Sequence, residues 1–416
     1  MNVQVRAPAT LDSMTLPPPP SSPLSGTETS FASPLAQPTR YAPPAPVAPP
    51  TPHISTLPKV AARGRGVSIW LFGVLAFAML ALVGYFLTFL GGVASGVGLV
   101  LALVPLAIVL FGVRLIDRWE PEPKAAVTFA LAWGAIAAVG ITLLVDLALT
   151  EVFGRGELRE IASTVIQAPV VEELAKGLGV LLIFLVARRT FDGPVDGVVY
   201  GALVGAGFAF TENIQYFAIS LIEGGGADLT ATFFMRGLLS PFAHAMFTAV
   251  TGYGIGLAAR RHGTVGAAAS AGFVGLLGAI VLHAFWNGSA LFGDFFALYV
   301  TLQVPLFGAF IFAVIALKRE EARLTYDRLS DYAAAGWFTP EEVTMLATRA
   351  GRKSGLAWAQ TLREDRRPLM RSFIADATAL AAVRQRAITG RDALAAHDEQ
   401  ILLQRASATR AALLAY

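Results

Sequence analysis

The sequence predicts an all-α membrane protein, a polytopic bundle of about eight transmembrane helices. Of its 416 residues, 55% are hydrophobic and only 15% are charged, and the mean hydropathy is +0.60. That composition is too apolar for a soluble protein of this size. Apolar runs long enough to cross a bilayer recur through the middle of the chain, and the composition changes on either side of them. These changes divide the chain into residues 1–66, 67–317 and 318–416.

The first segment, residues 1–66, is rich in proline. It holds fifteen of the 24 prolines, four of them consecutive at Pro17 to Pro20. Proline lacks a backbone donor and interrupts helices, so we expect a disordered, partly polyproline II extension that acts as a cytoplasmic linker. The segment lacks the apolar region and cleavage site of a signal peptide, and the first long apolar run begins only after Arg63 and Arg65.

The middle segment contains eight apolar runs of spanning length. The predicted spans are 67–90, 93–113, 125–149, 161–187, 195–221, 236–258, 264–290 and 294–317. Eleven Lys and Arg residues lie at alternate ends of these runs, and three, Arg155, Arg159 and Arg236, lie at the opposite ends. Positive charge favours the cytoplasmic side, so both termini are predicted to be cytoplasmic.

The last segment, residues 318–416, is predicted to be a small helical cytoplasmic tail. It carries sixteen Lys and Arg residues against twelve Asp and Glu residues. Thr339 and Glu342 have the spacing of a capping box with Pro340 at the first helical position, and Phe338 with Val343 can form a hydrophobic staple.

Several functions are excluded or disfavoured by composition. The chain has no cysteine, which rules out disulfides, thiolate catalysis and cysteine-bound metals. The formal net charge of +3 comes from residues that flank apolar runs or lie in the tail, and no nucleic-acid motif is present. The partner predicted by these features is the lipid bilayer, and any metal would need His and carboxylate ligands.

The fourth predicted span carries three charged residues near its middle, Glu172, Glu173 and Lys176. A single charge at the centre of a membrane helix costs roughly 2.5 to 3.5 kcal/mol on insertion scales, so three together indicate a functional site. Glu172 and Lys176 are four residues apart and are predicted to pair. Glu173 is rotated by about 100° and should find its partners on other helices.

Polar residues also interrupt the next three predicted spans: Glu212, Asn213, His244, His283 and Asn287. With the topology above, the acidic and imidazole groups lie roughly 10 to 17 Å below the outer boundary, in one layer. Pro169 and Pro241 each precede a key residue by three positions and can kink the helix where the gap faces a cavity. We therefore predict one polar site, suited to hydrolysis, in the outer half of the membrane.

The charge of this site leaves its chemistry open. With three ionised carboxylates and one ammonium the net charge is −2, which protons or a divalent cation must balance. One hypothesis is a zinc site that uses His244, His283, Glu212 and Glu172. The other is metal-free, with Glu172 or Glu173 as the general base and with His244, His283 and Asn287 supporting an oxyanion.

A different class of function is a proton-coupled transporter, because intramembrane Glu, His and Lys residues also form proton relays. The sequence contains no inverted repeat, and the ionisable residues concentrate in the fourth to seventh predicted spans. Hydrolysis is the hypothesis that this distribution favours.

Four ordered motifs resemble those of the PrsW family of intramembrane proteases, which is related to the CAAX-prenyl endopeptidases and bacteriocin-processing proteins. Glu172-Glu173-x-x-Lys176 and Phe208-Ala209-x-x-Glu212-Asn213 match two of them, and His244 and the His283 to Asn287 segment match the others. Residues 117–124 also resemble a cytoplasmic loop of the family.

The resemblance implies a multi-pass peptidase of the bacterial cell membrane that cuts single-pass, membrane-anchored substrates near the outer face. The best-known member of the family cuts an anti-sigma factor. The catalytic residues that it implies in this chain are Glu172, Glu173, Lys176, Glu212, Asn213, His244, His283 and Asn287. It implies neither the natural substrate nor the oligomeric state.

Overall fold

The computed structural model describes residues 69–118, 121–188, 190–261, 263–292, 294–362, 365–390 and 392–415. These residues are overwhelmingly helical and contain no strand, so the predicted all-α class is confirmed. The extension predicted for residues 1–66 lies outside them. The chain divides into two compact units, one of which is Arg63–Lys318 and the other of which includes Arg319–Tyr416.

The first unit is a set of long helices, several of which are joined end to end by π-helical turns. The elements are α1 (Ile69–Phe89), α2 (Gly92–Ile116), α3 (Lys124–Ala132), a π-turn (Trp133–Ala138), α4 (Val139–Phe153), α5 (Glu157–Ala162), a π-turn (Ser163–Gln167), α6 (Ala168–Val186), α7 (Pro194–Thr232), a π-turn (Phe233–Leu239), α8 (Ala243–Arg261), α9 (Val265–Phe292), α10 (Phe295–Leu298), a π-turn (Tyr299–Gln303) and the first half of α11 (Val304–Ala334), whose second half belongs to the other unit.

Six stretches of the described residues are long and apolar enough to cross a membrane: Trp70–Phe89, Gly92–Ile116, Lys124–Phe153, Pro194–Arg261, Val265–Leu291 and Phe295–Ala334. The fourth of these, 68 residues long, contains both α7 and α8. Helix α6 is not among the six, and it carries three charged residues within its 19. A polytopic helical membrane protein is therefore supported, and the count of eight spans stays a prediction.

Two helices extend beyond their predicted ends. Helix α7 continues to Thr232 instead of residue 221, with a break at Gly225, whose φ of 68° lies in the left-handed region. Helix α11 continues to Ala334, past the predicted boundary at 317. The residues after Lys318 are mostly good helix formers without Pro or Gly, and the helix ends just before Gly336, whose φ is 82°.

Helices α7 and α8 approach so closely that only glycine fits at their contact. Gly197, Gly201 and Gly205 recur every four residues on one face of α7. A Cβ atom on Gly201 would lie 2.5 Å from the backbone oxygen of Thr248, and one on Gly205 would lie 2.3 Å from that of His244. This small-residue contact fixes the backbone from which His244 and Thr248 project.

We expect Gly201→Val to destabilise the protein by about 1 to 3 kcal/mol or more. The neighbouring atoms belong to the backbone and cannot move aside as a side chain would. Thermal unfolding in detergent measures the effect. The control is Gly140→Ala on α4, where an added Cβ meets nothing within 4 Å and stability should stay the same or rise slightly. Equal melting temperatures for the two variants would contradict the tight contact.

The second unit contains the end of α11, α12 (Pro340–Ala347), α13 (Arg349–Thr361), α14 (Arg367–Ile388) and α15 (Ala395–Leu414), which share a core of their own. The predicted capping box forms at the start of α12. The backbone N–H of Thr339 donates to the carboxylate of Glu342 at 2.9 Å, and the N–H of Glu342 donates to Thr339 Oγ1 at 3.2 Å. Phe338 and Val343, the predicted staple, are both buried.

Asp376 on α14 makes the stability of this unit depend on pH. Its Oδ1 accepts from Arg405 at 3.1 Å, and its buried Oδ2 has no hydrogen-bond partner among the described residues. Burial raises the pKa of the Asp376 carboxyl, although Arg405 opposes the shift. The folded chain therefore holds this proton more tightly than the unfolded chain, and the free energy of unfolding falls as the pH rises from about 4.

We expect Asp376→Asn to remove this part of the pH dependence. Hydrogen exchange of the α14 amides in the full, detergent-solubilised chain, corrected for the intrinsic effect of pH, measures it. A slope of local stability against pH that is the same in the variant and in the wild type would contradict the assignment.

Candidate active site

Lys176, on α6, is the centre of a buried polar cluster. Its Nζ lies 3.0 Å from Glu172 Oε2, 2.9 Å from Glu173 Oε1 and 3.1 Å from His244 Nδ1. The ring of Phe208 lies beneath it, with the centroid 3.7 Å away. The predicted Glu172–Lys176 pair is therefore present, and the ammonium also pairs with Glu173.

Glu173 is fully buried, and both of its oxygens are engaged. Oε1 faces Lys176 and also lies 3.0 Å from His283 Nδ1, while Oε2 accepts a hydrogen bond from Thr248 Oγ1 at 3.0 Å. As its rotation on the helix predicted, Glu173 finds partners on other helices, here α8 and α9. Thr248 was not singled out from the sequence, although it lies four residues after His244 and so on the same helical face.

The contacts of the two histidines assign their neutral tautomers. An ammonium can only donate, so Nδ1 of His244 accepts from Lys176. The proton of His244 is therefore on Nε2, which lies 2.9 Å from the carboxylate oxygen Oε2 of Glu212. In His283, Nδ1 donates to Glu173, which leaves Nε2 as the acceptor.

Glu172 and His283 face each other without touching. The distance from His283 Nε2 to Glu172 Oε2 is 3.9 Å, which is too long for a hydrogen bond and suited to a bridging water molecule. The Glu172 side chain is 7% exposed, whereas that of Glu173 is fully buried. Of the two adjacent carboxylates, Glu172 is thus the one that an incoming water can approach.

Glu212, on α7, is held by a residue that the sequence analysis assigned to an outer flank. Arg236, in the π-turn between α7 and α8, forms an ion pair through its Nη2 with Glu212 Oε2. Its Nε donates to Asn213 Oδ1 at 3.0 Å. The only sequence signal for this role is an arginine at the edge of an apolar run. In the count of basic residues that predicts topology, Arg236 is one of the three on the outer side.

Arg236 also changes the charge of the site. Glu172, Glu173 and Glu212 contribute three negative charges, and Lys176 and Arg236 contribute two positive charges. With both histidines neutral, the net charge is −1 rather than the predicted −2. A single proton can therefore neutralise the cluster.

Asn287 lies apart from the cluster, although it is on the same helix as His283. Its side chain is partly buried, and Nδ2 donates to the backbone oxygen of Thr164 at 2.9 Å. Thr164 belongs to the π-turn that precedes α6. Donation to an oxyanion, as suggested from the sequence, would require this hydrogen bond to break.

Four consecutive helices, α6 to α9, supply the site, as the sequence predicted. The structure joins six of the eight candidate residues in one network of contacts: Glu172, Glu173, Lys176, Glu212, His244 and His283. Asn213 is linked to it through Arg236, and Asn287 is not. The regular helix is interrupted before Pro169 by the π-turn and between Leu239 and Ala243 around Pro241, near both predicted kinks.

Glu172, Glu173, His244 and His283 each offer a ligand atom, and these atoms all lie within 4.8 Å of one another. Two imidazole nitrogens and two carboxylate oxygens form a donor set that suits zinc. The set differs from the predicted ligands, because Glu173 takes the place of Glu212, which instead contacts His244 Nε2 and Arg236. Lys176 contacts three of the four residues, so its ammonium and a metal ion would compete for them.

Comparison with known proteins shows sequence similarity to one family. Residues 122–314 match the model of the PrsW family of intramembrane metalloproteases. Protease PrsW of Clostridioides difficile (strain 630) is 31% identical over 153 residues, which are 37% of this chain and 62% of that protein. Protease PrsW of Geobacillus kaustophilus (strain HTA426) is 30% identical over 142 residues, 34% of this chain and 58% of that protein.

Protease PrsW of Bacillus subtilis (strain 168) is 29% identical, over 34% of this chain and 60% of that protein. The chain thus spans about three fifths of the length of these relatives. No solved structure matches it. All eight candidate residues fall within the matched segment, and the resemblance carried by the motifs is confirmed: residues 122–314 of this chain are similar to the PrsW family of intramembrane metalloproteases.

Proposed function

We propose that the protein is an intramembrane endopeptidase that hydrolyses peptide bonds of single-pass, membrane-anchored proteins near the outer membrane face. The similarity of residues 122–314 to the family of intramembrane metalloproteases supports the reaction class. The single observation that carries the mechanism is the 3.9 Å gap between Glu172 and His283, in a cluster whose other polar groups already touch. A water molecule that lies beside these two atoms, about 2.8 Å from each, can donate to both the carboxylate and the imidazole nitrogen.

In the metal-free form of this proposal, Glu172 is the general base. The water oxygen attacks the carbonyl carbon of the scissile bond, and its proton passes to the Glu172 carboxylate. Collapse of the tetrahedral intermediate breaks the C–N bond, and Glu172 returns the proton to the departing nitrogen. The Glu172 carboxylate is therefore regenerated in each cycle. The products are a carboxylic acid and an amine, and the proton of the acid passes to the amine or to solvent.

Glu173 and Lys176 hold this arrangement together. Glu173 orients His283 through Nδ1, so that Nε2 faces the water. Lys176 places a positive charge next to both carboxylates and holds their side chains in position. Because the ammonium is fully buried, its field is only weakly screened.

The proposal includes a zinc-bound and a metal-free form. In the first, Glu172, Glu173, His244 and His283 would hold the ion. A bound zinc ion supplies a Lewis acid for the substrate carbonyl and lowers the pKa of its water. Metal analysis of the purified wild type beside a His244→Ala, His283→Ala double variant separates the forms, because only a zinc-bound wild type would lose stoichiometric metal.

We also propose that the chain crosses a bacterial cell membrane eight times with both termini in the cytoplasm. The spans would be the six apolar stretches, with Pro194–Arg261 counted as two, and α6, whose charges face the cluster. The absence of cysteine makes this simple to test. An impermeant maleimide should label Arg155→Cys in intact cells and Arg261→Cys only after permeabilisation. The reverse pattern would refute the topology.

The activity is tested with purified protein in detergent and a labelled single-pass peptide, with mass spectrometry of the products. Cleavage that is unchanged in both Glu172→Gln and Glu173→Gln would refute the proposal. Solute flux in proteoliposomes without cleavage would favour the transporter alternative, which the comparisons do not favour. Membrane peptides that accumulate in a strain carrying the inactive enzyme would identify natural substrates, including any anti-sigma factor.

A further inference from the structure

We propose that Arg236 is a positioning residue of the active site, which acts through Glu212 to fix the ring of His244. For its catalytic consequence this inference rests on the proposed function. Its structural consequence, the state of the His244 ring, can be measured whether or not the protein cleaves peptides.

The contacts of Arg236 converge on one face of α7. Its Nη2 forms an ion pair with Glu212, and its Nε donates to Asn213 Oδ1 at 3.0 Å. Its guanidinium carbon lies 3.8 Å from the centroid of the Tyr216 ring. Residues 212, 213 and 216 lie within about one turn of each other. A guanidinium that uses two edges and one face in this way has little freedom to rotate.

The carboxylate oxygen that Arg236 holds is the one that meets His244. Glu212 Oε2 contacts Arg236 Nη2 and also lies 2.9 Å from His244 Nε2. By holding that oxygen, Arg236 keeps the proton of His244 on Nε2. The other ring nitrogen, Nδ1, then faces Lys176 and the candidate metal-binding residues. This is the carboxylate–histidine arrangement that orients imidazoles in active sites, extended by one more residue.

Charge gives Arg236 a second reason to be there. Glu212 is only 17% exposed and belongs to a cluster with two other carboxylates. Arg236 is the cation in direct contact with Glu212 among the described residues, because Lys176 points to Glu172 and Glu173 instead. Without Arg236, Glu212 would be repelled by its acidic neighbours and would turn towards water, away from His244.

The first test is a double-variant cycle on peptide cleavage. We expect Arg236→Gln to lower kcat about 10- to 100-fold with little change in KM. In a Glu212→Gln background the same substitution should cost less than about threefold, because the residue through which Arg236 acts is already impaired. Arg236→Lys, which keeps the charge but not the fork, should recover part of kcat.

The second test does not need activity. The chain has only five histidines, so selective ¹⁵N labelling gives few ring signals, and His244→Asn identifies that of His244. We expect the wild type to have protonated Nε2 and unprotonated Nδ1 at His244, and Arg236→Gln to average the two signals. The matched control is Arg159→Gln, an arginine outside the cluster that lies 3.9 Å from Asp146; it should change neither kcat nor the His244 signals.

These outcomes separate the two proposals. If neither the wild type nor any variant cleaves the peptide, the proposed function fails. If Arg236→Gln still alters the ¹⁵N signals of the His244 ring, the positioning role stands. An unchanged ring in Arg236→Gln would overturn the positioning role. So would equal losses of kcat in the presence and absence of Glu212, or a loss confined to KM, which would indicate direct contact with substrate.

Discussion

Replacing Glu172 by Gln is expected to lower kcat for a single-pass peptide about 10²- to 10⁴-fold, the usual contribution of a general base, while the protein stays folded. Gln keeps the shape of the side chain and an acceptor for Lys176, but it cannot take the proton of the attacking water. Because Glu172 contacts fewer partners than Glu173, its neutralisation should have the smaller effect on thermal unfolding.

Glu173→Gln is the matched variant, and it should fail in a different way. This side chain is fully buried and binds Lys176, His283 and Thr248. Removing its charge breaks a buried ion pair, which typically costs about 3 to 5 kcal/mol. Activity should therefore fall together with the melting temperature. A catalytically dead Glu173→Gln of normal stability beside an active Glu172→Gln would make Glu173 the base.

The sequence could predict the parts of this site that depend on spacing along one helix. The Glu172–Lys176 pair follows from a separation of four residues, and the placement of Glu173 towards other helices follows from its rotation. The contribution of four consecutive helices follows from the similar depth of their polar residues. Each of these inferences needs only the geometry of a regular helix and a bilayer of known thickness.

The contacts that the sequence could not predict run between helices. Arg236 reaches Glu212 from a π-turn, and the position of a side chain on a π-turn does not follow α-helical spacing. Lys176 on α6 reaches His244 on α8, a contact between two helices that spacing along either helix does not specify. Asn287 shares a face with His283 in the sequence, yet its amide is taken by a carbonyl on the π-turn before α6.

Lys176→Met is the second variant for which we expect a large effect. The ammonium is fully buried and is the cation shared by Glu172 and Glu173. Methionine has a similar length and no charge, so two buried carboxylates would be left without a counter-ion, at a cost of about 3 to 5 kcal/mol. The melting temperature in detergent should fall accordingly, and cleavage should be lost in the absence of added metal.

Zinc should then stabilise the variant more than the wild type. Lys176 contacts three of the four residues that form the candidate metal group. Its ammonium would therefore repel a divalent ion and compete with it for the same side chains. Removing the ammonium strengthens binding, and an ion present at 100 times its Kd adds about 2.7 kcal/mol of stability. The measurement is the melting temperature of both proteins with zinc and with a chelator.

The same measurement in a Lys176→Met, His283→Ala double variant provides the control, because one of the four ligands is missing and the gain from zinc should shrink. An equal gain in wild type and in Lys176→Met would mean that the ammonium and the ion do not compete for these residues. No gain in either protein would mean that the cluster binds no zinc and that Lys176 is the cation on which its hydrolytic chemistry depends. The buried ammonium therefore discriminates between the two mechanisms that composition and spacing leave open.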